Sequence, residues 1–231
     1  MTSIVIGMTT AQIAALTTSQ ITSLNTEDIA ALNTTQISAG LTSTQIRALT
    51  TSQVGAFTTS QIIAFTTTQF TNFETTDLQA LKTSQIVALT TAQIASGLTS
   101  SQLQALTTNQ AAALTTTQLQ ALTTVQLGTM ETTDLQALKS SQVAALTTSQ
   151  VNAGITTTQI AALTTSSIAG LTTAQVASGL TTAQIQALTT DQVSVLTSSQ
   201  LQALTTTQVA SLQTTDLQAL KTSQIVALTT A

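Results

Sequence analysis

The chain has no cysteine, histidine, proline, tryptophan or tyrosine, and only four of its 231 residues are basic. Without Cys there is no disulfide, thiolate metal site or thiol nucleophile. Without His the commonest general base is gone, and the few carboxylates present do not form the paired groups that acid and base chemistry needs. The net charge of −4 argues against nucleic acid, whose phosphates are neutralised by Lys and Arg. Charged residues are 5% of the chain where a globular domain has roughly a quarter, so the surface has to be built from Thr, Ser, Gln and Ala. Any core is mainly aliphatic.

Long apolar runs are missing too. Thr or Gln interrupts every few positions, so no stretch approaches the run of about 18 apolar residues that a membrane helix needs. The start, "MTSIVIGMTTAQ", has no cationic leader and too short an apolar run for a cleaved secretory signal. Export would need an uncleaved or C-terminal signal, and the last phrase, "LTTA", reads as cut off. A mean hydropathy of +0.34 is too high for a disordered polar chain.

What is present is one phrase said many times. After a lead-in over residues 1–7, the chain from Met8 to Ala231 parses into roughly 27 units of about eight residues, far above the three or so that a stable stack needs. The consensus is L-T-T-x-Q-I-x-A, as in "LTTSQVGA" from Leu49 and "LTTAQIQA" from Leu180. Position one is apolar, position three Thr or Ser, position five Gln or Asp with Ser167 the exception, and position six apolar with Ala111 the weakest case.

This spacing predicts an all-α solenoid of very short capped helices, one per unit. Thr at position two as N-cap and Gln at position five make a capping box, and the apolar residues at positions one and six are its hydrophobic staple. Eight residues at 3.6 per turn put successive units about 80° out of phase, so one continuous amphipathic helix is excluded. Where position two is Glu74, Lys82, Lys139 or Gln213, the expectation is a cap shifted to position three. The alternative is a β-solenoid, favoured by Thr, Ile and Val but short of the Gly or Pro that each rung's corner would want.

A longer period lies inside the short one. A ninth residue, always Gly, ends four units at Gly40, Gly97, Gly154 and Gly179, and the first three are evenly spaced, seven units apart. Asp77 and Asp134 share that spacing, as do Lys82 and Lys139. A third copy, Asp216 and Lys221, follows after the same step lengthened by the interval from Gly154 to Gly179. Gly after a short helix predicts a left-handed cap. Seven units are expected to close a whole number of turns, which would stack Asp77 over Asp134 and Lys82 over Lys139.

No segment presents a catalytic, cofactor-binding or metal-ligating set. Glu27 with Asp28 reads as helix capping, and Glu74 with Asp77 offers too few oxygens for calcium. Phe57, Phe65, Phe70 and Phe73 fall on apolar positions and read as core. Arg47 and the lysines read as solvated charges.

The phrase "LTTxQIxAL" resembles repeats of very large, repetitive bacterial surface and adhesin-like proteins. That resemblance implies export to an extracellular or cell-surface location without a cleaved N-terminal signal, and a role as self-associating filament, stalk or surface layer; the residue content itself suggests no cofactor, no nucleic acid and no membrane span. Two further readings stay open: an ice- or surface-binding Thr array, which requires the β-solenoid, and a scaffold that binds another protein.

Overall fold

The computed structural model describes residues 3–229; Met1 and Thr2 of the lead-in, and Thr230 and Ala231 of the last phrase, lie outside them. The described residues contain 23 α-helices of four to eight residues and four π-helical turns, with no strand. The chain is an all-helical repeat in a solenoid-like arrangement, and the β-solenoid is not its fold.

Each helix begins as the repeat chemistry dictates. In the helix Thr51–Val54, the Thr50 hydroxyl accepts from the Gln53 backbone N–H at 3.3 Å, and Gln53 Oε1 accepts from the Thr50 N–H at 2.9 Å. Both orphan donors of the first turn are thereby satisfied. Val54 and Phe57, at positions six and one, are buried, whereas Thr50, Thr51 and Ser52 are exposed. Helices this short are unstable alone. Burying positions one and six, at about 1.5–3 kcal/mol for each large aliphatic side chain, is what holds them.

Burial comes from stacking three units apart. The helix Thr59–Ala64 packs on Thr83–Ala88, and Thr67–Phe70 packs on the π turn Gln93–Gly97. The phenylalanines widen this core locally: Phe57 and Phe65 meet edge-on at 5.1 Å between ring centroids, and Phe65 and Phe73 do so at 5.0 Å.

Two expectations fail, each for a visible reason. The cap does not move to position three where position two lacks a hydroxyl. The helices Thr75–Gln79 and Thr83–Ala88 still start after Glu74 and Lys82. With no side-chain acceptor in place, the N–H of Asp77 and of Gln85 turns to the Glu74 and Lys82 carbonyl oxygens, at 3.1 and 2.9 Å. The ninth-residue glycines are not left-handed caps either, since Gly7 is the only described residue with positive φ. Each extra residue is absorbed as a π turn. Leu41 N–H donates to Gln36 O at 3.0 Å and Leu98 N–H to Gln93 O at 2.8 Å, with Gly154 and Gly179 ending turns of the same kind. Glycine is needed there for space. A Cβ on Gly40 would stand 3.1 Å from Ile13 Cγ2, and one on Gly97 would stand 3.2 Å from Phe70 Cβ.

The chain divides into two compact units, Met1–Leu114 and Thr115–Ala231. The pairs Asp77 with Asp134 and Lys82 with Lys139 are split between them, while Gly40 and Gly97 fall together in the first.

Candidate functional site

The side chain that organises each repeat is the one at position five. Gln53 uses its Oε1 in the capping box and turns its Nε2 the other way, donating to the Ile21 carbonyl at 2.7 Å and the Leu24 carbonyl at 2.8 Å. Those carbonyls lie near the end of one helix of the preceding coil and just before the next. One amide therefore fastens three chain segments.

The pattern recurs within both compact units. Gln45 reaches Leu16 and Gln61 reaches Leu32, 29 residues back in each case; Gln36 reaches Met8 and Gln93 reaches Phe65, 28 residues back. In the second unit Gln150 reaches Leu122 and Gln192 reaches Leu163, 28 and 29 residues back. The longer step occurs where a ninth-residue Gly intervenes and the shorter where none does. One step of each kind adds up to the interval between Gly40 and Gly97, so seven repeats correspond to two coils. Within the first unit this can be followed directly. Gly97 abuts Phe70, and Gln69 beside it bonds the Ile37 and Leu41 carbonyls that flank Gly40.

Sequence reasoning assigned Gln only its capping half. A capping box accepts Glu as readily as Gln, yet position five is never Glu in this chain. That exclusion was the legible sign that a donor is used at most repeats.

Asp replaces Gln at Asp28, Asp77, Asp134 and Asp216, and all four are buried. Asp28 lies where the lead-in supplies donors: its carboxylate accepts from the backbone N–H of Ile4 at 3.1 Å and of Asn25 at 3.2 Å. Asp77 has no such supply. Burial, with the Glu74 carboxylate beside it, pushes its carboxyl up to about 6. Asp216 accepts from the Thr190 hydroxyl at 3.0 Å through Oδ1, while Oδ2 is buried without a partner. Ser167 is too short to reach back and instead meets its own cap, Thr164, at 2.9 Å.

The other expected markers take humbler places. Lys82, Lys139 and Lys221 stand exposed just before their helices, and Arg47 is exposed late in its own. No three acidic side chains gather among the described residues. A polar depression of about 340 Å³ lies beside the π turn Gln150–Gly154, lined by Thr148, Ser149, Asn152, Ala153 and Ser178. No described helix is long and apolar enough to cross a membrane.

The ALTTAQ repeat pattern matches residues 5–39, 39–67, 70–108, 127–165 and 178–206, about three quarters of the chain. The chain belongs to the ALTTAQ repeat family. Each matched stretch is about one coil long or longer. The ALTTAQ phrase also continues past the matched stretches: Thr115 and Gln118 form the same capping box. No curated protein and no solved structure matches the chain.

Proposed function

We propose that this ALTTAQ repeat chain is a non-enzymatic structural array that self-associates into an extracellular filament, surface layer or adhesin stalk. The observation that carries this reading is that one side-chain device, the two-way Gln, is used at most repeats, leaving an exterior mainly of uncharged Thr, Ser and Gln. Such an exterior has little long-range self-repulsion. A stack whose repeats each contact only their neighbours also grows in length without redesign.

Negative-stain electron microscopy of the purified chain over a range of concentrations tests it. Filaments or sheets that lengthen with concentration are the expected result. Separate particles at every concentration would sink self-association.

A second reading, a scaffold for another protein, has one observation in its favour. Ile63 and Val87 are apolar side chains left 50% and 47% exposed, on the mutually packed helices Thr59–Ala64 and Thr83–Ala88. The ice-binding reading loses its support, because it asked for a planar Thr grid on strands.

A further inference from the structure

The register of the stack gives Asp77 a definite environment. Its neighbours in the array are Gln69, which bonds the carbonyls 28 and 32 residues back at 2.8 Å each, and Gln85, which bonds those 28 and 31 back at 2.7 and 3.4 Å. The Gln85 register, applied to Asp77, ends on Leu49 and Ile46. Neither carbonyl receives a side-chain donor from any described residue, and no described residue donates to the Asp77 carboxylate, although Asp77 is only 3% exposed. An ionised carboxylate here would set acceptors against acceptors.

Nothing nearby relieves this. The helix Thr75–Gln79 packs on Thr51–Val54 and on Ser100–Gln104, and neither carries a titratable side chain. The charge that acts on it is the Glu74 anion, which adds repulsion; Arg47, next to Ile46 in the chain, is exposed to solvent. Asp28, at the same repeat position, shows what an ionised carboxylate wants: two backbone N–H donors. Asp216, in the second unit, is only half provided for: Oδ1 accepts from the Thr190 hydroxyl at 3.0 Å and Oδ2 is buried without a partner.

We propose that Asp77 is a proton-binding joint of the stack: as a neutral acid it donates its O–H to the Leu49 or Ile46 carbonyl, as the Gln amide does elsewhere, and ionisation breaks that bond. The proton comes from solvent and returns to it. Acid therefore locks this joint and rising pH loosens it, over a range set by a carboxyl pushed up to about 6. The inference concerns one joint and stands whether or not the chain self-associates.

The test uses the full chain. Carboxyl-carbon NMR, with the Asp77 signal assigned by its loss in Asp77→Asn, is followed from about pH 4 to pH 8, and unfolding is measured over the same range for the wild type and for Asp77→Gln, which restores the repeat. The expected result is a midpoint near 6 for Asp77, and a ratio of wild-type to Asp77→Gln unfolding constants that rises about 100-fold across the range, the equivalent of a two-unit shift. A midpoint near the ordinary carboxylate value overturns the proposal, and so does a ratio that does not change with pH. Should Asp77→Gln fail to fold, the wild-type carboxyl titration decides alone.

Discussion

The side-chain nitrogen of Gln61 lies 2.6 Å from the carbonyl oxygen of Leu32, and the oxygen of the same amide accepts from Thr58 N–H at 2.7 Å. Gln61 is 3% exposed, so water cannot replace either bond. Gln61→Glu keeps the shape and the capping oxygen but removes both donor hydrogens. The expected cost is about 2 kcal/mol or more, the penalty of buried acceptors losing their donor with a charge added. Because repeat arrays can unfold in parts, amide hydrogen exchange over Thr26–Ala31 and Thr59–Ala64 reads the loss best. Unchanged protection there would show that the amide bond is not a fastener.

Gly97→Ala places a methyl 3.2 Å from Phe70 Cβ and 3.5 Å from Thr67 Cα. Phe70 is fully buried and cannot swing aside. Overpacking of this kind costs about 1–3 kcal/mol, even though Ala is the better helix former. Chemical denaturation measures it, and a stabilised Gly97→Ala chain would mean the glycine is there for another reason.

Lys82→Thr points the other way. Lys82 N–H already donates to Gln85 Oε1 at 2.6 Å, but its own side chain has no acceptor for the Gln85 N–H. A Thr hydroxyl would complete the box that Thr50 and Gln53 form, with an expected gain of about 1 kcal/mol. The thermal midpoint should rise, and the same change at Lys139 should raise it again.

Glu74→Gln removes the second of the two causes that hold Asp77 up, leaving burial alone. The Asp77 midpoint should fall from about 6 toward 3.8, the value of a free carboxyl. The sign follows from proton linkage: a folded-state midpoint above the unfolded one contributes stability that is full below the unfolded value and lost as pH rises through the folded one. For wild type that loss is on the order of 3 kcal/mol between acid and neutral pH, at about 1.4 kcal/mol per unit. Glu74→Gln should shrink it, so the variant gains on the wild type near pH 7 and not near pH 4. Equal gains at both would rule out the coupling.

Much of this could be read from the residues. The helix starts follow from the Thr–Gln spacing because a capping box is a local device whose two hydrogen bonds lie within four residues. The apolar positions one and six, down to Phe57, Phe65, Phe70 and Phe73, are the buried ones for the same reason. What escaped were features set by the neighbouring coil. Nothing local says that Gln53 also reaches Ile21 and Leu24, or that Gly97 is small because Phe70 presses on it. The failed cap shift at Glu74 was a misjudged balance: the backbone carbonyl of position two serves the N3 donor well enough to keep the helix start in register.

Gln53 and its counterparts each tie together segments about one coil apart, and few ties reach further. A chain held by its ends and pulled should therefore yield one coil at a time, each release freeing 28 or 29 residues or roughly 100 Å of extended length. The molecule would lengthen in even increments under load, with each broken step short enough in sequence to re-form quickly when the load falls.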